Sequence, residues 1–155
     1  HDVSMVWCHL NDEGHLLEKL IPDSVEVSGS DSDIAKEEAI DWFCNGTGKR
    51  RLISKSRIFG YGLNLQHCSH VSYFPTHSYE QYYQAIRRCW RFGQKNSVRV
   101  DMISSEGEAG VVANLNRKAA QAEAMFARLV ELINNELRIE SVNLHTQKAT
   151  VPTWI

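Results

Sequence analysis

Apolar residues recur along this chain in two alternating periods. Short β-branched or alternating runs at Val3–His9, Ser24–Ser28, Arg50–Lys55, His70–Phe74 and Val98–Ile103 each read as a strand. Between them the spacing turns helical. Leu16, Leu17, Leu20 and Ile21 predict a helix over Gly14–Ile21, and Ile34, Ala35, Ala39, Ile40 and Phe43 share one face of a helix from about Ser32 to Cys44. Asp31 or Ser32 would cap that helix, and Gly46 lies where its C-terminal turn would end. Ser78, with Gln81 three residues on, has the spacing of a capping box and opens a helix toward Arg91. A last, long helix is predicted over Asn116–Leu137, with Ala122, Phe126, Leu129, Val130 and Ile133 as its packing stripe. Repeated strand and helix units imply an α/β fold, a mainly parallel sheet covered by helices on both faces. Residues 1–140 read as one domain, and 141–155, which lack clear periodicity, as a tail or the start of a further segment.

Composition narrows the class. With 155 residues and 43% hydrophobic content the chain can bury about two-thirds of its unfolded surface around one core. No apolar run approaches the ~20 residues needed to cross a bilayer, and no charged-then-apolar leader is present, so a soluble, intracellular protein with no membrane partner is expected, cytoplasmic if bacterial or phage-encoded. The initial His1 suggests an excised fragment. Cys8, Cys44, Cys68 and Cys89 show no C-x-x-C spacing and read as buried free thiols. The net charge of −2 argues against binding nucleic acid by bulk electrostatics, but the charge is uneven. Lys49, Arg50, Arg51, Lys55 and Arg57 form one acid-free basic run, and Arg87, Arg88, Arg91, Lys95 and Arg99 form another.

Chemistry gathers beside those runs. In Gln84-Ala85-Ile86-Arg87-Arg88-Cys89-Trp90-Arg91-Phe92-Gly93-Gln94, Arg88 and Arg91 are three apart, the spacing at which two side chains share a helix face. Two guanidiniums aimed together suit a phosphate, because the fork of donors matches phosphate oxygens and stays ionised. A solvated basic helix face would also account for the pair by itself. Upstream, Phe59-Gly60-Tyr61-Gly62-Leu63-Asn64-Leu65-Gln66 follows a strand, and glycines one residue apart let backbone N–H groups approach an anion.

In combination, a strand, G-x-G-L-N-L-Q, a second short strand and Q-A-x-x-R-x-x-R-x-G-Q resemble motifs V and VI of superfamily-two helicases, most closely the Swi/Snf-like translocase branch. The resemblance is strong over Arg51–Ile103. It implies a RecA-like three-layer sandwich that forms the second helicase domain, with Val3–His9 as motif IV. It also implies Arg88 and Arg91 as catalytic arginine fingers and Gly60, Gly62, Asn64 and Gln84 as cofactor-facing positions, with Lys55, Arg57 and Tyr61 as nucleic-acid contacts. The chain departs from the pattern at Arg87, where Gly or Asp is frequent, and at Trp90, where His is frequent. Phe74-Pro75-Thr76-His77 stands in place of the usual Trp-Asn-Pro. ATP and Mg2+ would be held mainly by an N-terminal RecA-like domain outside this sequence, with DNA, duplex favoured, as the other partner. The fragment alone would then be almost inactive.

Other features have simpler explanations. Asn45-Gly46-Thr47-Gly48-Lys49-Arg50 lacks two positions of a phosphate-binding P-loop and lies after a helix, so it reads as a C-cap and turn. His67, Cys68 and His70 have no second ligand pair at zinc spacing. Tyr79, Tyr82, Tyr83 and Trp90 could stack bases, although packing on the sheet explains most of them, and Trp90 could lie near the cleft. Two alternatives to the motor reading are a non-catalytic RecA-like nucleic-acid or protein interaction module, and the motor part of a restriction or repair enzyme.

Overall fold

The structure, a computed structural model, describes residues 2–58 and 63–144, with side chains as far as residue 134. Its most buried strand, β1 (Val3–Cys8), is also its most apolar, and it pairs on both edges. Strands β2 (Ser24–Val27), β3 (Arg50–Lys55), β4 (His70–Tyr73) and β5 (Arg99–Met102) complete a five-stranded sheet of order β2-β3-β1-β4-β5. All four pairings are parallel, and Met5 sits level with Leu52 on one side and Val71 on the other. Parallel strands need crossovers, which is why helices α1 (Asn11–Leu20), α2 (Asp33–Asn45) and α3 (Tyr79–Arg87) fall between them.

Side-chain alternation sorts the core into two layers. Met5, Trp7, Val27, Leu52, Val71 and Tyr73 face Phe43 of α2 and Ala85 and Ile86 of α3. Val6, Cys8 and Ile53 face the other way, toward Leu17 of α1 and Phe74. Strands β1–β5 and helices α1–α3 thus form the three-layer α/β sandwich that the sequence pattern implied, with α1 on one face and α2 and α3 on the other.

Local chemistry sets the element ends, and several differ from expectation. Helix α1 begins at Asn11 rather than Gly14, because the Glu13 carboxylate accepts from the backbone N–H groups of His9 and Leu10 at 2.9 and 2.8 Å. Of the two candidate caps for α2 it is Ser32 that accepts from Ala35 N–H, at 3.2 Å, whereas Asp31 turns back to Ser28. Gly46 closes that helix with its N–H on the Trp42 carbonyl, the cap and turn expected there. At α3 only half of the capping box forms: Ser78 accepts from Gln81 N–H, while the Gln81 side chain meets Thr76 instead. The last helix, α4 (Ala109–Leu144), starts before Asn116 and ends after Leu137, since Ser105 and Glu108 cap a 3-10 turn that leads into it.

The chain divides into two compact units, residues 1–115 and 116–155, the second comprising most of α4. In that second unit Phe126, Leu129, Val130 and Ile133, expected to form a packing stripe, are exposed.

Two of the basic residues in the first run are structural. Arg50 is buried and its Nε donates to the Phe43 carbonyl at 3.2 Å, and Arg51 donates to the Pro22 carbonyl at 2.7 Å. No described helix is long and apolar enough to cross a membrane.

The arginine turn and its clamp

Helical spacing continues from Tyr79 through Arg91, yet the helix stops at Arg87. Arg88 is the C-cap, and Arg91 lies in the turn beyond it, so the two do not share a helix face as their spacing suggests. The Ala85 and Ile86 carbonyls of α3 accept from the N–H groups of Arg88, Cys89 and Trp90, but those of Arg88 and Cys89, beyond the helix, are captured from outside. Leu65 N–H donates to the Arg88 carbonyl at 3.0 Å, and Gln94 Nε2 donates to the Cys89 carbonyl at 3.3 Å. Gly93 then turns the chain with φ +94°, a conformation strained for any side chain, and a Cβ there would meet Gln66 Oε1 at 2.7 Å.

This turn nevertheless brings the arginines together by another route. Tyr83, Gln84, Arg87, Arg88 and Arg91 line one open cavity of about 490 Å³. Its lining carries three guanidiniums and no carboxylate. Partial burial, and next the charge of Arg91, hold Arg88 below the usual guanidinium range, although it remains a cation at any working pH. Like charges confined at one opening are a preformed attraction for a polyanion, whose oxygens replace the lost water. Gln84 lines the same opening, its amide donating to Glu80 at 3.1 Å.

Gln94 was not singled out by sequence, and it is what holds this site to the sheet. Its Nε2 donates to Cys68 O at 3.0 Å as well as to Cys89 O, and its Oε1 accepts from Asn96 N–H at 3.0 Å. One side chain therefore joins the stretch before β4 to the arginine turn. Beneath it Cys68 and Cys89 are fully buried and in thiol contact: Cys89 is pushed up by the hydrogen bond it gives Cys68 and by burial, and Cys68 is lowered by receiving it. All four cysteines are free thiols. The G-Q ending of the arginine motif was the available signal, a glycine for the turn followed by a residue able to bond two carbonyls.

We expect Gln94→Ala to lower stability by about 1–3 kcal/mol, the cost of stranding partly buried carbonyls. Gln94→Glu should cost more, since a carboxylate would face the same two oxygens. Urea unfolding of the two variants checks the order, and equal midpoints to wild type would remove the clamp.

The remaining candidates fall elsewhere. Asn64 is exposed and bends the chain locally, its Oδ1 accepting from Gln66 N–H at 3.3 Å, one residue from the Leu65 contact to Arg88. Gly60, Tyr61 and Gly62 lie outside the described residues. Lys55 ends β3, where its ammonium meets Asn11 Oδ1, and Arg57 is exposed in the turn that follows. These two stand at the C-terminal edge of the strands, while the arginine turn abuts Cys68, ahead of the N-terminal end of β4. The edges are about a strand length apart, roughly 15–20 Å. The structure therefore separates the Lys55 group from the Arg88 group.

The zinc-like cluster has packing contacts. His67 meets Phe43 edge-on at 5.2 Å, His70 Nε2 pairs with Asp101 at 2.8 Å, and among the described residues no group of three or more His, Cys, Asp or Glu side chains could hold a metal ion.

A parallel five-stranded layer between helices, with an arginine turn clamped beside its central strands, defines a RecA-like α/β domain. The chain belongs to the helicase conserved C-terminal domain family, whose profile matches residues 4–93. No curated protein matches. Among solved structures, the C-terminal part of the Fun30 ATPase domain is similar in fold, with a TM-score of 0.64 at 17% identity, covering 74% of this chain and 39% of that one. The C-terminal domain of a Dbp5 variant from S. cerevisiae, bound to a Gle1 variant and IP6, gives 0.62 at 15% identity, covering 77% and 70%. The chain thus spans well under half of the Fun30 structure.

Proposed function

We propose that this domain is the second half of an ATP-dependent nucleic-acid motor, and that Arg88 and Arg91 are its arginine fingers. The observation that carries the reading is the acid-free cavity shared by Gln84, Arg88 and Arg91 within a helicase C-terminal domain. An N-terminal RecA-like domain would cradle ATP and supply the Mg2+ ligands. Closure of the two domains would bring both guanidiniums to the γ-phosphate, where they stabilise the charge spread over its equatorial oxygens in transfer. Hydrolysis and opening would then advance the domain along a strand.

Gly60, Gly62 and Asn64 would face the nucleotide cleft as well as the nucleic-acid backbone, while Lys55 and Arg57, at the opposite sheet edge, and Tyr61 would follow that backbone. Their separation from the arginine turn suits two ligands bound at once, one at each edge. The motif spacing supports the Swi/Snf-like branch, with duplex DNA as the track and an intracellular setting.

This division of labour has a direct test. The 155-residue chain by itself should hydrolyse ATP at no more than background, with or without DNA, when phosphate release is followed. Sustained turnover by the isolated chain would contradict the shared cleft.

A further inference from the structure

The turn that presents Arg88 and Arg91 also presents aromatic surface that the phosphate chemistry does not use. Tyr83 and Arg87 are four apart on α3, and Trp90 lies in the turn beyond it, where the Arg87 guanidinium lies close to both rings. Arg87 Cζ lies 5.8 Å from the centre of the Tyr83 ring and 5.3 Å from that of Trp90, within cation–π range of both. Yet Tyr83 remains 46% exposed and Trp90 56% exposed. Core packing does not require them there. It is Tyr82 that packs inward, edge-on to Tyr73 at 5.2 Å, while Tyr79 extends the outer row at 6.1 Å from Tyr83.

We propose that Tyr83, Arg87 and Trp90 form a stacking site for an unpaired nucleobase, contiguous with the phosphate-directed Arg88 and Arg91. A nucleotide unit joins a flat π face to a phosphate; here Tyr83, Arg87, Arg88 and Arg91 line a cavity of about 490 Å³, and Trp90 lines a second one of about 420 Å³ that shares Arg91 with it, both within the size range of small-ligand sites. Arg87 gives a planar, always-charged surface that stacks as well as attracts, which lysine cannot reproduce. Gln84, on the same opening, supplies amide chemistry for a base edge. The base could belong to free ATP or to an unwound strand. The inference rests on the proposed phosphate-facing role of Arg88 and Arg91 but concerns different side chains.

The test uses the intact protein, wild type and the variants Trp90→Ala, Trp90→Phe and Arg87→Lys, each checked by thermal melting. Affinity is measured for four probes: a labelled oligothymidylate, an abasic strand of equal length, a fluorescent ATP analogue and inorganic triphosphate. Trp90→Ala and Arg87→Lys should each weaken at least one base-bearing probe about tenfold, with Trp90→Phe recovering most of the loss, while the abasic strand and triphosphate bind as before. A loss confined to oligothymidylate assigns the base to a strand, and one confined to the ATP analogue assigns it to the nucleotide. Unchanged affinity for both base-bearing probes overturns the proposal, as does an equal loss with the probes that lack bases. Failure of the finger assignment is separable, because it appears as unchanged hydrolysis in Arg91→Ala.

Discussion

Arg91→Ala in the intact protein should lower nucleic-acid-stimulated ATP hydrolysis about a thousandfold, equivalent to about 4 kcal/mol of transition-state stabilisation, while ATP binding changes little. The asymmetry follows from where charge develops. The γ-phosphoryl oxygens gain their need for donors as the bond to the leaving group breaks, so a guanidinium placed there acts mainly on the rate. Arg91 is exposed, and its backbone alone supports the turn, accepting from Gln94 N–H at 3.1 Å, so the variant should melt with wild type. Arg91→Lys should recover little, because a point charge on a flexible stem lacks the planar fork. Steady-state turnover together with nucleotide affinity reads both halves of the expectation. A loss of affinity that matches the loss of rate would instead describe a residue that merely holds ATP.

The second large effect concerns the frame. Phe43 is fully buried where α2 meets the sheet, in the cluster that includes Met5, Trp7, Leu52 and Leu65. Phe43→Ala should cost about 3–5 kcal/mol, a transfer loss plus the cavity left behind. Against a total stability of about 5–15 kcal/mol for a domain, that approaches unfolding. Phe43→Leu, which keeps most of the volume, should cost about 1.5 kcal/mol or less. Urea titrations should show the alanine midpoint falling far more than the leucine midpoint at unchanged slope. A small effect from alanine would mean that Leu65 and the clamp above it are not supported through this core.

Most of the architecture was legible because strand and helix periods do not resemble one another. Runs such as Val3–Cys8 and Arg50–Lys55 are buried on both faces, as central parallel strands must be. Ser32 and Gly46 marked the ends of α2 because capping is local chemistry. What escaped the sequence was tertiary in origin. Nothing between Gln84 and Arg91 breaks a helix, and the chain leaves helical geometry because Leu65 and Gln94, held by folding, capture carbonyls that the next turn would have used. Arg50 looked like part of a surface charge run for the same kind of reason, since its bond to the Phe43 carbonyl exists only once α2 packs on β3. Of the expected site residues, Gln84, Arg88 and Arg91 line one cavity, and the geometry that joins them is a clamped turn rather than a helix face. The stripe on α4 shows the opposite limit. Period alone identified its apolar residues, and period alone cannot say whether they are covered.

The central claim is geometric, that two guanidiniums from this turn reach a phosphate held elsewhere. Its most direct test is an experimental structure of the intact protein with ADP and aluminium fluoride standing in for the transferred phosphoryl group. The account predicts Arg88 and Arg91 both within about 2.7–3.1 Å of the fluoride or β-phosphate oxygens, with Gln94 still bridging Cys68 and Cys89. Both arginines facing solvent in a closed, nucleotide-loaded cleft would contradict it.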